Sequence, residues 1–141
     1  MFGGSTPPNA AISGATLAFF TTHIYFITHM SIYMREKLFE QKIRQYLESR
    51  GHWVVKYFAN GYTKSGIPDL LACVNGRFVA IEVKGDGSNV SPLQVYTLSK
   101  ISVSGGIAMV VYPSQFEKFC RKIEEIEKFC RKIEEIADDR R

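Results

Sequence analysis

The spacing of apolar positions changes several times along the chain, and each change marks an element. Between Met34 and Gly51, Phe39, Ile43, Tyr46 and Leu47 recur three and four apart, which predicts a helix with one buried face that ends at the glycine. HWVVKYF, residues 52–58, is β-branched and aromatic and predicts a strand. NGYTKSGIP is a loop rich in turn formers. DLLACV and RFVAIEVK, residues 69–74 and 77–84, are two strands joined by Asn75-Gly76, a strong hairpin signal. SPLQVYTLSKISVSGG reads as a helix with Ser91 as N-cap, Pro92 at its first position and a glycine pair at its end. IAMVVY, from residue 107, is a last buried strand, so the order is α, β, β, β, α, β, followed by a tail helix.

The two ends of the chain depart from this pattern. Residues 1–34 contain no Lys, Arg, Asp or Glu, and the apolar run AAISGATLAFFTTHIYFITHM is about long enough to span a bilayer. Its four threonines and two histidines, His23 and His29, weigh against a span, and no basic segment precedes it as in a secretory signal. We read residues 1–33 as an extension outside the catalytic domain; a membrane anchor and an additional ordered helix are the alternatives. At the other end the decamer EKFCRKIEEI occurs twice without a gap, at 117–126 and 127–136. Such identity points to a local duplication rather than to a stacked structural repeat. Phe116, Phe119, Ile123, Ile126, Cys130, Ile133 and Ala137 fall at helical spacing, an apolar stripe that could cover the domain, form a dimer seam or belong to a solvated tail. The expected organisation is therefore an extension over 1–33, a compact domain over 34–119 and a helical tail over 120–141.

At 141 residues the chain has room for one modest core, and its hydrophobic fraction of 45% and charged fraction of 23% exclude disorder. Cys73, Cys120 and Cys130 show neither metal-ligand spacing nor an even count, which suits a reducing, cytoplasmic setting. The net charge of +4 is unevenly placed. From Arg35 to Tyr112 there are ten basic residues against six acidic ones, whereas the remainder of the chain is balanced. An excess of this kind favours a polyanionic partner such as nucleic acid.

The hairpin itself points to chemistry. A two-residue turn at Asn75-Gly76 sets Asp69 directly opposite Glu82, with Cβ atoms about 4.5–5.5 Å apart. Two carboxylates so close in an apolar sheet require a shared proton or a cation, and hard oxygen ligands suit Mg²⁺ or Mn²⁺. By strand alternation Lys84 shares the face of Glu82, while the backbone carbonyl of Val83 is a further candidate ligand. Glu40 continues the helical stripe of Ile43 and Leu47 by one turn and is expected to face the sheet. Gln94 completes a Ser-x-x-Gln capping box with Ser91, a structural role that requires no part in catalysis. The plain alternative for the trio is a buried ion pair between Lys84 and one acid, which would leave the other carboxylate without a partner.

Read together, GIPDLLACVNGRFVAIEVK, then SPLQ, then SGGIAMVV resembles the PD-(D/E)xK nuclease motif. In detail the wording is similar to the VRR-NUC domain in its small stand-alone phage and bacterial form, over about Met34 to Phe119. The resemblance implies a restriction-endonuclease-like α/β core with a mixed central sheet flanked by helices, and metal-dependent hydrolysis of DNA phosphodiester bonds. It assigns Asp69 and Glu82 to the metal, Lys84 to the motif lysine, Glu40 to the helical glutamate that completes the cluster, and Gln94 to the glutamine of the following helix. It further implies a homodimer cutting four-way (Holliday) junctions, with a flap or nicking nuclease and a non-catalytic DNA-binding module as rivals. Phosphate contacts are expected at Lys56, Tyr62 and Lys64, which flank the loop before GIPD, and no membrane partner is expected.

Overall fold

The computed structural model describes residues 14–60, 62 and 64–140. Contacts divide the chain into two units between Tyr33 and Met34. Helix α1, Gly14–Ser49, supplies the described part of the first unit and opens the second. Among the described residues no helix is long and apolar enough to cross a membrane. Residues 1–13 of the uncharged extension lie outside the described residues.

The second unit continues with strands β1 (Trp53–Lys56), β2 (Leu70–Val74) and β3 (Arg77–Val83), helix α2 (Pro92–Val103), strand β4 (Ile107–Val111), a 3-10 turn at Pro113–Gln115 and helix α3 (Phe116–Asp138). The sheet order is β1-β2-β3-β4, antiparallel except for the parallel β3–β4 pair. The fold is thus α/β with a mixed four-stranded sheet flanked by helices.

Local chemistry explains the main joints. Gly51, at φ 80°, ends α1 with the His52 and Gly51 amides donating to the Leu47 and Glu48 carbonyls. Asn75 and Gly76 both take positive φ, which the tight hairpin turn requires. Alternation then sorts the sheet into two faces. Leu70, Ala72, Val74, Val79, Ile81 and Val83 join one core with Phe39, Ile43 and Leu47 of α1 and Phe119, Ile123, Ile126 and Cys130 of α3. The opposite face, with Leu71 and Phe78, is overlain by α2.

Helix α3 runs unbroken through both decamers, so the core continues past Phe119. The two copies are not equivalent. Phe119, Ile123 and Ile126 of the first are 4%, 0% and 6% exposed, whereas Phe129, Ile133 and Ile136 of the second are 56%, 44% and 46% exposed. The second copy instead buries Glu127, which accepts two hydrogen bonds from Arg50, at 2.8 and 2.6 Å, and lies 2.6 Å from His52 Nε2.

Candidate active site

The paired register of the hairpin ends at Leu70 opposite Ile81, and Asp69 lies one residue beyond it, close enough for its charge to act on Glu82. Asp69 is anchored twice. Its Oδ2 accepts from the Val83 amide at 2.9 Å, and its carbonyl accepts from the Tyr57 amide at 2.8 Å. Glu82 is 1% exposed. Its Oε1 accepts from Lys84 Nζ at 2.8 Å and from Gln94 Nε2, while Oε2 is buried without a hydrogen-bond partner. Leaving a buried carboxylate oxygen unsatisfied is costly, so this atom marks a position suited to an additional positive group.

The electrostatics have the same sense. Burial lifts the Glu82 carboxyl above its ordinary range, and the Asp69 charge adds to the lift against the opposing pull of Lys84. Burial alone would weaken proton binding at Lys84, but its hydrogen bond to Glu82 and the charges of Glu82, Asp69 and Glu36 outweigh it and raise its pKa. The rise at Lys84, and the part of the Glu82 rise that Asp69 adds to burial, report negative potential at the site. That potential and the two neighbouring carboxylates of Asp69 and Glu82 fit a hard divalent cation.

Gln94 performs two tasks at once. Its Oε1 accepts from the Ser91 amide at 2.9 Å and closes the capping box, while its Nε2 donates to Glu82. The start of α2 therefore holds the Glu82 carboxylate in place. Glu40 is buried as its spacing predicts, but the structure joins it to Lys56, with Oε2 accepting from Nζ at 2.6 Å. Among the described residues no three His, Cys, Asp or Glu side chains converge as a metal-holding group, so the acids at the hairpin form a pair. Lys56 is consequently engaged with Glu40, whereas Tyr62 and Lys64 are exposed in the loop before Pro68, where the Tyr57 hydroxyl donates to the Lys64 carbonyl at 3.0 Å.

Sequence reasoning missed Glu36. Its Oε1 accepts from the Gly85 amide at 2.7 Å and from Ser88 Oγ at 3.4 Å, which pins the residue directly after Lys84. Gly85 permits this approach, since a Cβ there would come within 3.0 Å of the Glu36 oxygen. The loop is tied on its other side where Asp86 Oδ1 accepts from Ser114 Oγ at 2.6 Å. A usable signal was present: Glu36 precedes Glu40 by four residues, the spacing that places two side chains on one helix face.

A sequence profile of the archaeal Holliday junction resolvase family, Hjc, matches residues 31–102, just over half of the chain. The chain belongs to the Hjc family. The Hjc match contains Glu36, Glu40, Asp69, Glu82, Lys84 and Gln94 and stops before β4 and the decamers. Membership makes the chain a relative of the PD-(D/E)xK nucleases. Among solved structures, that of Hjc from Archaeoglobus fulgidus, a Holliday junction resolvase from an archaeal hyperthermophile, is 24% identical, with a TM-score of 0.44. The similarity covers 54% of this chain and 66% of that Hjc, so the chain spans just under two thirds of its relative's length. No curated protein matches the chain.

Proposed function

We propose that this Hjc-family chain is a metal-dependent, structure-specific endonuclease that hydrolyses DNA phosphodiester bonds at four-way junctions. The observation that carries the reading is the buried, partnerless Oε2 of Glu82 beside the charge of Asp69. Asp69 and Glu82, with the Val83 carbonyl, would hold Mg²⁺ or Mn²⁺, cations that keep much of their water shell and need few protein ligands. Bound there, the ion would supply Lewis acidity and a water of lowered pKa. Lys84 would hold its ammonium beside the scissile phosphate and oppose the charge that develops on it. Gln94 would keep Glu82 in its rotamer, and Glu40 is the proposed third acid. Lys56, Tyr62 and Lys64 are the proposed phosphate contacts; such contacts orient DNA without reading its sequence.

Two symmetric cuts call for two active sites, which a twofold homodimer would provide. The finer VRR-NUC likeness, with its phage or bacterial type, rests on the residues around GIPD, SPLQ and SGGIAMVV, and the proposed cytoplasmic setting on the odd count and spacing of Cys73, Cys120 and Cys130. The test is an end-labelled four-way junction against a matched linear duplex, in Mg²⁺ or Mn²⁺ and in EDTA. Paired symmetric nicks near the crossover, absent in EDTA, are expected. Single nicks or flap cuts would indicate a monomeric nuclease, and binding without cutting in any metal would leave a non-catalytic module.

Glu36 enters the same reading as a positioning residue. Glu36→Ala is expected to slow cleavage about tenfold, the lower end of what outer-sphere partners of metal sites contribute. Glu36→Gln, which keeps an acceptor for the Gly85 amide, should recover most of that loss. Single-turnover rates at saturating enzyme would show it, and equal rates for all three proteins would remove Glu36 from the mechanism.

A further inference from the structure

Next to the catalytic trio, on the same face of the sheet, a cavity of about 480 Å³ opens between α2, the hairpin and the loop before Pro68. Ile67, Leu71, Phe78 and Ile101 give it apolar walls, and the exposed Lys64 and Lys100 stand at its edge. The Phe78 ring is 46% exposed. It rests against Gly106, where a Cβ would meet Phe78 Cδ1 at 3.1 Å and Ile101 Cγ2 at 2.8 Å. Lys100 lies over the exposed ring of Tyr96, with Nζ 5.4 Å from its centroid.

An apolar slot with an open aromatic ring and two cations at its mouth matches a planar group that carries an anion. Nucleotides have that chemistry: the base offers a π-face and the phosphate a charge. The slot is also at the right distance. Leu71 of β2 follows Asp69 by two residues of extended chain, about 7 Å, and Thr97, also in the lining, follows Gln94 by about 5 Å along α2. Phosphates of one strand advance about 3.4 Å per nucleotide along a duplex. A base in the slot would thus lie within a few nucleotides of a phosphate held at Asp69 and Glu82.

We infer that this cavity receives one unstacked base of the bound DNA, laid against Phe78, with neighbouring phosphates on Lys64 and Lys100. The inference rests on the nuclease reading and deepens it. Substrate choice then depends partly on how readily a base leaves its stack, which favours branch points over continuous duplex because unstacking there costs less.

The experiment is a thermodynamic cycle between Phe78 and the base. The cleavage position is mapped on the full-length wild-type protein. An abasic nucleotide is then placed in turn at each of the positions flanking the scissile phosphate, and junction affinity is measured in EDTA. At one position, removing the base should weaken wild-type binding about fivefold to a hundredfold, the range for base–aromatic stacking. There Phe78→Ala should weaken binding to intact DNA by a similar factor and leave the abasic DNA almost unaffected. Phe78→Leu, which keeps bulk but loses the ring, guards against an effect of misfolding and should behave as Phe78→Ala does. Lys100→Ala should weaken both DNAs alike and reduce the salt slope by about one. Equal losses on intact and abasic DNA at every position, or no loss from either Phe78 variant, would overturn the base slot while leaving the nuclease reading intact. A wild-type protein that neither cuts nor binds a junction would instead overturn that reading and the slot with it.

Discussion

Glu82→Gln is expected to reduce junction cleavage by about a hundredfold to a thousandfold, as when a single preorganised electrostatic group is removed from an active site. Junction affinity in EDTA should change little, because backbone contacts dominate it. The substitution keeps an acceptor at the position where Lys84 and Gln94 donate and removes the charge whose second oxygen has no partner. It should also alter stability. The folded protein binds a proton at Glu82 more tightly than the unfolded chain does, so stability falls as pH rises from 4.5 through the raised folded value. The glutamine variant should lose that slope and melt higher than wild type at neutral pH. A divalent cation should raise the wild-type melting temperature, by the equivalent of about 2.7 kcal/mol at a hundred times its Kd, and leave the variant unmoved. Melting curves against pH and Mg²⁺, run beside the cleavage assay, check each part, and a fully active variant would rule out Glu82 as a metal ligand.

The second large effect is expected far from the hairpin carboxylates. Glu127→Gln should lower the unfolding free energy by about 2–4 kcal/mol, because it removes the charge that Arg50 and His52 share and puts a donor amide in place of one of its two acceptor oxygens, in a largely buried setting. Glu117→Gln changes the same position of the first decamer, which is exposed, and should cost less than about 0.5 kcal/mol. The Arg50 hydrogen bonds, helped by His52 and opposed by partial burial, hold the Glu127 carboxyl down at about 2, from an ordinary 4.5. A lowered folded pKa stabilises the protein above 4.5, and that contribution is lost as pH falls toward 2. The shift corresponds to a contribution on the order of 3 kcal/mol. Acid unfolding should therefore begin at higher pH in Glu127→Gln than in Glu117→Gln; coincident acid and urea transitions would show that the cluster does not hold α3.

Much of the fold is written locally. The Asn75-Gly76 turn and strand alternation are enough to set Asp69 against Glu82, since a two-residue hairpin has one register. Gly51, Ser91 and Pro92 announce their helix ends because caps are satisfied by near neighbours. The sequence alone therefore determined the element order, the opposed acids and the placement of Lys84 beside them. The tertiary structure decided how those groups are supported: Glu36 reaching Gly85, Lys56 taking Glu40, and Gln94 serving its capping box and Glu82 together. These contacts join residues of different elements, and the rotation of a helix against a sheet is set by packing rather than by its own residues. The decamers make the same point from within one helix. Ten residues at 3.6 per turn rotate the second copy about 80° from the first. Identical side chains therefore meet the core in one copy and solvent or Arg50 in the other, a difference that exists only once α3 lies against the sheet.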